Sequence, residues 1–412
     1  MEKNYDHYLI LEEEYKKIKK RTLPLCAAEN IISEFSKIPL NKDFQERYVM
    51  NGINSYNAED NFIGSKFLHE IYQLVNQQCS KIFGSQYADA RTLTGMNCVT
   101  TLLMSITENN DKIMLQTSQS GGHPSMKWVC ERLGLKIIDM PYDYQNRNID
   151  YDKVYEILKK ENIKFILYAP SDIINTPDYS KLTLPDNTVF LYDASQTLGL
   201  ICGKQVDNPL EKFQEKNCIV FGGTHKTLPG PANGLILTNS AHWAQKIDET
   251  ISPLYLRHSQ MHQVASLLFT LYEMEEHGEA YTKKIIEMAN VIGNQLKENG
   301  IRVIGGEGTI TSTHQLFIQT SETDMKVIFN LANKYNITLN KKDKKLFDNY
   351  GIRLGTQEIA RMAWENEEEA LKQIVDILLA LFAMDESKLK KLMNGFTLPV
   401  DIRFTFKTVV NS

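Results

Sequence analysis

The chain has 412 residues, 42% hydrophobic and 24% charged, and its formal net charge is −5. This composition is typical of a globular protein long enough to form two or three domains. Without an excess or a cluster of basic residues to neutralise phosphates, a nucleic-acid partner is not expected.

Targeting and metal-site patterns are absent from the sequence. The charged N-terminus lacks the apolar core of a signal peptide, and the longest apolar run, Ile374–Met384, is far shorter than the ~20 residues of a membrane span. The six cysteines form no CxxC pair, so neither a metal site nor a disulfide framework is expected. We therefore expect a cytoplasmic protein without membrane contact. The lysines at 342, 344 and 345 are typical of a solvated loop or helix face.

In chain order, a helical pattern over residues 5–20 is followed, between about 110 and 240, by short apolar runs that alternate with helical stretches. The runs are KIMLQ from Lys112, KIIDM from Lys136, KFILY from Lys164, VFLY from Val189, CIVF from Cys218 and GLILT from Gly234. Continuous apolar runs are typical of strands buried on both faces of a mostly parallel sheet. This region predicts a large α/β domain.

Two helical patterns follow, HQVASLLFTLYEMEEHG from His262 and YTKKIIEMANVIGNQLKENG from Tyr281, the second ending at Gly300 as a C-cap. Short strand patterns at IRVIG, HQLFIQT and ITLN, with helices at MKVIFNLANKY and EEEALKQIVDILLALF, predict a smaller α+β domain. We divide the chain into an N-terminal segment (1–55), a large domain (56–283) and a small C-terminal domain (284–412).

Two polar residues directly follow predicted strands: Asp193 after VFLY, and Lys226 in the GGTHKTLPGP loop after CIVF. Ligands of parallel sheets bind at the carboxyl ends of the strands. A partly desolvated lysine amine is a nucleophile towards an aldehyde. A carboxylate such as Asp193 would keep a pyridine nitrogen protonated. The plain alternatives are a solvated loop lysine and a capping aspartate.

Three further motifs can be interpreted either as ligand-binding sites or as ordinary structural features. Thr94, Gly95 and Met96 open a helical pattern whose N-terminus suits a phosphate, or Thr94 simply caps the helix. His123 follows two glycines and would stack on a ring or cap a helix. Arg353, in GIRLGT, suits a substrate carboxylate or lies on a surface strand.

The motifs TGMN, GGH, YDASQ, GGTHKTLPGP and GIRLGT occur in an order that resembles serine hydroxymethyltransferase, a fold-type I pyridoxal-phosphate enzyme family, over roughly residues 20–380. The resemblance implies an α/β fold with a mostly parallel seven-stranded sheet in the large domain and a small C-terminal α+β domain. It also implies pyridoxal 5'-phosphate as cofactor, an amino acid as substrate, and a homodimer with shared active sites.

The resemblance also implies roles for individual residues. Lys226 would form the Schiff base with the cofactor, and His123, His225 or a water held by Glu29 would take the substrate's proton. The cofactor contacts would be Thr94, Gly95, Met96, His123, Ser171, Asp193, Gln196, Thr224, Lys226, Arg257 and His258. The substrate contacts would be Arg353, Tyr48, Tyr56 and His314. Of these, Tyr48, Tyr56, Arg257 and His258 are candidates to reach into the partner's site.

Three departures from the family pattern concern the reaction. The family's tyrosine-x-glutamate segment is Tyr48-Val49-Met50, its Ser-Glu-Asn begins with Ala28, and its Asp-x-x-His ends in Gln196. Methionine cannot transfer a proton, so the folate-dependent step is in doubt. The stretches THKTLPGP, STHQLFI and GIRLGTQEIAR resemble threonine transaldolases, which belong to the same family of folds.

We therefore predict aldol-type chemistry on a threonine- or serine-like β-hydroxy amino acid, with retro-aldol cleavage to a glycyl carbanion and its transfer to an aldehyde. The alternatives are serine hydroxymethyltransferase itself and another fold-type I reaction, namely that of an aminotransferase, a racemase or a β-eliminating lyase. A non-catalytic protein that kept the fold is a third hypothesis, against which the intact set of Lys226, Asp193 and Arg353 argues.

Overall fold

A computed structural model describes residues 2–49, 66–213, 218–305 and 309–407 of the chain. The chain divides into two compact units. The large unit comprises residues 28–283 and the C-terminal residues from Phe404 onwards, and the small unit comprises residues 1–27 and 284–403. The predicted domain division and the predicted role of residues 1–55 in a dimer stay predictions.

The secondary structure alternates strands and helices through most of the chain. Numbered in chain order, the strands are β1 (Leu23–Pro24), β2 (Tyr87–Asp89), β3 (Lys112–Leu115), β4 (Lys136–Asp139), β5 (Tyr142–Asp143), β6 (Asn148–Ile149), β7 (Phe165–Tyr168), β8 (Val189–Asp193), β9 (Cys218–Gly223), β10 (Gly234–Thr238), β11 (Val303–Ile304), β12 (Gln315–Gln319), β13 (Ile337–Thr338), β14 (Asn340–Lys344) and β15 (Asn349–Gly355). The helices are α1 (Glu2–Lys19), α2 (Glu34–Lys37), α3 (Lys66–Phe83), α4 (Gly95–Ile106), α5 (Ser125–Arg132), α6 (Tyr151–Lys160), α7 (Leu198–Cys202), α8 (Pro209–Lys212), α9 (Ala241–Glu249), α10 (Met261–Glu298), α11 (Glu322–Lys334), α12 (Gln357–Arg361), α13 (Glu367–Phe382) and α14 (Glu386–Asn394).

The large unit is built on a seven-stranded sheet of order β2-β10-β9-β8-β7-β3-β4. The pairs from β4 to β9 are parallel, and β10 runs antiparallel to both of its neighbours. Side chains of α4, α5 and α9 form one buried cluster with the strands, including Leu102, Phe165, Leu191 and Phe221. The predicted α/β fold with a mostly parallel sheet is confirmed.

The small unit contains a four-stranded antiparallel sheet of order β11-β12-β15-β14. The N-terminal strand β1 pairs in parallel with β13, with Leu23 opposite Ile337. Helix α13 begins at the cap Asn366, whose side chain accepts a hydrogen bond from Glu369 N. Its bounds are those that the sequence predicts, because the cap, three glutamates in the first turn and the apolar stripe agree.

Two predictions about elements are wrong. The helical patterns from His262 and Tyr281 form one continuous helix, α10, with Gly278 in its interior. The helix continues through this glycine because Met274 and Tyr281, on either side of it, are buried. A single interior glycine costs only about 1 kcal/mol relative to alanine. Helix α10 does end in a Schellman-type cap at Gly300, which has φ of 82°.

The second wrong prediction concerns the lysines of residues 342–345. Lys342 and Lys344 lie in β14 rather than on a solvated loop or helix, and Lys344 is buried. The strand has no apolar pattern of its own, and it forms by pairing with β15 from Asn340 to Lys344. Long lysine stems can pack along a sheet while their amines reach water.

Candidate active site

Two loops at the carboxyl edge of the large sheet are hydrogen-bonded to each other. They follow the parallel neighbours β3 and β7. His123 N donates to Ala169 O at 2.9 Å, and Ser171 N donates to Gly121 O at 2.9 Å. The structure therefore places the predicted residues His123 and Ser171, both half-buried, on adjoining loops at the edge where such sheets bind ligands.

Asp193 is the last residue of β8 and is buried. Its Oδ1 accepts hydrogen bonds from Ser195 N at 2.9 Å and from Ser195 Oγ at 2.5 Å. The same Oγ accepts from Gly223 N, at the end of β9, at 2.8 Å. Within the described ranges no side chain or backbone group donates to Oδ2, so this oxygen can accept a bond from a ligand.

The N-terminus of α4 lies against the ends of β8 and β9. Thr94 caps the helix and accepts from Asn97 N at 3.1 Å. A Cβ on Gly95 would lie 2.9 Å from Gly223 N and 3.0 Å from Ser195 Oγ, so this close approach requires glycine. The first-turn amides of Gly95 and Met96, with the dipole of a three-turn helix, suit an anion.

The loop that carries Lys226 is fixed on both sides of the lysine. Thr224 Oγ1 donates to Pro231 O at 2.7 Å, which closes the loop on itself. Thr227 Oγ1 donates to Gln196 O at 3.0 Å, which joins the loop to the segment after β8. Both threonines are buried, whereas Lys226 is half-buried. Hydrogen bonds therefore fix the loop on both sides of Lys226, and the lysine itself is only partly exposed to solvent.

His225 is half-buried beside this lysine. Burial, and then the nearby Lys226 charge, hold the pKa of His225 below its ordinary value. Its Nδ1 is buried and has no hydrogen-bond partner in the described part of the chain. A neutral imidazole with an unused nitrogen can exchange a proton with a ligand.

Four other predicted residues of the large unit lie in the described ranges, and a fifth does not. Tyr48 is stacked on His258, with ring centroids 4.6 Å apart. Burial and then the nearby His262 lower the pKa of His258. Arg257 and Glu29 are exposed. Tyr56 falls outside the described residues.

The small unit holds two predicted substrate contacts. Arg353 is 4% exposed, and its Nε and Nη2 donate to Asn340 Oδ1 at 3.2 and 2.6 Å. The pair is set by the register of β14 and β15, in which the two residues are opposite each other. His314 is buried, with Nε2 at 3.3 Å from Ala27 O.

Three residues that orient the predicted ones escaped the sequence analysis. Ser195 fixes Asp193, Asn340 fixes Arg353, and Asn30 contacts the Lys226 loop. The spacing of Asp193 and Ser195 is that of an Asx turn, a signal that could have identified Ser195. The other two contacts depend on strand register and on long-range packing, which leave no local signal.

Comparison with known proteins shows what the chain as a whole is similar to. The family model described as serine hydroxymethyltransferase matches residues 2–378. A serine hydroxymethyltransferase of Sulfolobus acidocaldarius is 28% identical, covering 97% of this chain and 94% of its own length. One from Methanocaldococcus jannaschii is 31% identical, covering 90% and 88%.

A solved structure shows the same fold. The L-threonine transaldolase from Pseudomonas fluorescens, in its internal aldimine state, superposes with a TM-score of 0.89 at 21% identity, covering 98% of this chain and 94% of that one. In addition, no helix among the described residues is long and apolar enough to cross a membrane.

Proposed function

Because the chain belongs to the serine hydroxymethyltransferase family, we propose that it cleaves a threonine- or serine-like β-hydroxy amino acid between Cα and Cβ and transfers the glycyl unit to an aldehyde. The chain is an enzyme of this pyridoxal-phosphate-dependent class, and its cofactor is pyridoxal 5'-phosphate. The bond that is cleaved and the acceptor are the proposed part.

The residues of the large unit fit this cofactor. Asp193 Oδ2 lacks a donor in the described ranges and would accept the pyridine N–H. The N-terminus of α4, where Gly95 approaches Gly223 closely, would hold the phosphate. Lys226, on its fixed loop, would hold the aldehyde carbon, with His123 and Ser171 on adjoining loops as further contacts.

The bound cofactor supplies a ring that accepts the electrons left on Cα when a bond to that carbon breaks. The protein must then hold the carboxylate and remove a proton from the β-hydroxyl. Arg353 would bind the carboxylate, since Asn340 already holds its guanidinium in one orientation. His225, His123 and Glu29 stay alternatives for the proton acceptor, and the lowered pKa of His225 favours the neutral form that this role requires.

The observation that carries the transfer reaction is Met50 at the position of the family's acidic residue. A thioether cannot give or accept a proton, and Ala28 and Gln196 remove two further polar or titratable groups of the family pattern. Serine hydroxymethyltransferase itself is the second candidate, because the two relatives described above carry that name at 28% and 31% identity.

The test incubates the cofactor-loaded protein with L-threonine, with and without benzaldehyde. We expect acetaldehyde together with a new β-hydroxy amino acid that carries the phenyl group. A parallel assay with L-serine and tetrahydrofolate tests the second candidate, and one-carbon transfer there without aldehyde transfer would overturn the proposal. 2-Oxobutanoate from threonine or pyruvate from serine would indicate an eliminating enzyme instead. A 2-oxo acid that keeps the β-hydroxyl would indicate transamination, and a D-amino acid would indicate racemisation.

A spectroscopic control tests the cofactor lysine independently of the reaction. Wild-type protein supplemented with cofactor is expected to show a visible absorbance band that Lys226→Ala lacks. Lys204→Ala, at an exposed lysine of the same unit, is the matched control and should keep the band. A band that survives in Lys226→Ala would assign the cofactor to another lysine.

A further inference from the structure

The side chain of Asn30 makes three hydrogen bonds, which use both donors of its amide group and its oxygen. Its Nδ2 donates to Lys226 O and to Tyr281 Oη, the latter at 2.8 Å, and its Oδ1 accepts from Ile31 N at 2.8 Å. The bond from Ile31 N fixes which end of the amide is oxygen, so the nitrogen must face the lysine carbonyl. One amide thus joins the segment before α2, the Lys226 loop and α10.

The contact to Lys226 differs from the others that hold its loop. Thr224 and Thr227 fix the loop on either side of the lysine, whereas Asn30 binds the peptide carbonyl of the lysine itself. A hydrogen bond to that carbonyl restrains ψ of Lys226. Restraint of ψ, with the loop fixed at Thr224 and Thr227, sets the direction of the Cα–Cβ bond and of the amine beyond it.

We infer that Asn30 is a positioning residue for Lys226, whose amide holds the lysine in the direction required to bind the cofactor. The inference rests on the proposed role of Lys226 as the cofactor-binding lysine. A lysine side chain has four rotatable bonds, so a fixed starting direction removes part of the entropy that binding would otherwise cost.

The decisive variant is Asn30→Asp, which keeps the shape and removes both Nδ2 donors. A carboxylate oxygen would then face Lys226 O. We expect the dissociation constant for pyridoxal 5'-phosphate, from titration of the apo-protein by its visible band, to rise about five- to tenfold, the effect of one lost hydrogen bond. Asn30→Ser removes the same donors without a charge and should act in the same direction.

Two further variants separate positioning from general stability. Tyr281→Phe removes one partner of Asn30 and leaves the bond to Lys226 O, so it should change the dissociation constant much less. Asn290→Asp is the matched control in the small unit. Its Nδ2 donates to Ile286 O at 2.9 Å and to Thr311 O at 3.0 Å, and its Oδ1 accepts from Ile310 N at 2.8 Å. It should lower the urea midpoint and leave cofactor binding unchanged.

The outcomes are distinguishable. Weaker cofactor binding and an altered visible band in both Asn30 variants, with normal binding in Asn290→Asp, would support the inference. Unchanged binding in folded Asn30→Ser or Asn30→Asp, alongside a lower urea midpoint, would show that Asn30 is only structural and would overturn it. A visible band retained in Lys226→Ala would instead contradict the proposed role of the lysine, whatever the Asn30 variants do.

Discussion

Ser195 is the residue on which the geometry of Asp193 depends. Its N–H and hydroxyl both bind Asp193 Oδ1, and its oxygen accepts the amide hydrogen of Gly223. All three groups are buried at the ends of β8 and β9. A buried polar group that loses its hydrogen-bond partner destabilises the protein by more free energy than the hydrogen bond contributed.

We expect Ser195→Ala to lower the free energy of unfolding by about 1–3 kcal/mol, because the Gly223 amide is left buried without an acceptor. Cofactor affinity should fall as well, since Asp193 loses one of the two donors that orient it. Urea unfolding and cofactor titration measure the two effects. Ser105→Ala, which removes only a hydroxyl bonded to Thr101 O within α4, is the control. Equal losses in the two variants would contradict the role given to Ser195.

The second prediction at this scale concerns His225 and pH. Burial and Lys226 lower the pKa of this imidazole in the folded chain, whereas the unfolded chain has the ordinary value of about 6.5. Below that pH the unfolded chain binds a proton that the folded one does not, so stability must fall as pH falls. His258 and His262 also have lowered pKa values and add to the same slope.

We therefore expect the urea midpoint of the wild type to fall between about pH 7 and pH 5.5, and His225→Asn to reduce that slope without abolishing it. Parallel urea titrations across this range measure the difference. His242→Asn, at an exposed histidine, serves as the control. A slope that is the same in His225→Asn and in the wild type would show that the imidazole is protonated equally in both states.

At the scale of elements, α10 joins two distant segments through one buried carboxylate. Glu273 is 1% exposed and accepts from Ser33 Oγ at 2.8 Å and Ser36 Oγ at 3.0 Å, at the start of α2. It also accepts from Thr405 Oγ1 and, at 3.3 Å, from Phe406 N. The helix thus holds the segment that carries Asn30 and the C-terminal segment of the large unit.

We expect Glu273→Ala to destabilise the protein by about 3 kcal/mol or more, because several buried donors lose their acceptor together. Trypsin should also cleave at Lys407 faster, since Thr405 and Phe406 are released. Urea unfolding and mass spectrometry of timed digests measure both effects. Glu276→Ala, at an exposed position of the same helix, should change neither. Unaltered digestion of Glu273→Ala would show that other contacts hold this segment.

How far the elements can be predicted depends on whether their signal is local. The strand Phe165–Tyr168 is a continuous apolar run and was predicted to within one residue. Strand β14, of sequence NKKDK, was not predicted, because its stability comes from pairing with β15. Two helical patterns were predicted where the structure has the single helix α10, which continues through Gly278 because buried side chains lie on either side of it.

The same distinction applies to the candidate site. Asp193 ends β8, and Lys226 lies in the loop that follows β9, so their position in the sequence already indicates the edge of the sheet. Their supporting residues do not share this signal. Asn30 reaches Lys226 across 196 positions of the chain, and Asn340 reaches Arg353 through strand register. Sequence patterns therefore predict which side chains lie at the edge of the sheet better than they predict the residues that orient them.

At the scale of the whole molecule, the first helix carries a set of large apolar side chains that the single chain leaves exposed. Those on α1 are between 41 and 65% exposed, namely Tyr5, Tyr8, Leu9, Ile10, Leu11, Tyr15 and Ile18. Exposed apolar surface of this extent is typical of a protein–protein interface. It is consistent with the predicted homodimer. That Tyr48, Tyr56, Arg257 and His258 serve the partner's site stays a prediction.

A mixing experiment tests both parts of this prediction. Lys226→Ala and Arg257→Ala are each expected to be inactive as homodimers. If Arg257 serves the partner's site, a heterodimer of the two variants contains one site with both residues intact. Equal mixing gives heterodimers in half of the molecules, so activity should return to about one quarter of the wild-type value in a two-fold symmetric dimer.

Sedimentation at several protein concentrations establishes the dimer itself. Mixing Lys226→Ala with Asp193→Asn, whose changes affect the same site, is the control and should restore nothing. If the mixture of Lys226→Ala and Arg257→Ala also stays inactive in a proven dimer, Arg257 acts within its own subunit or at no active site.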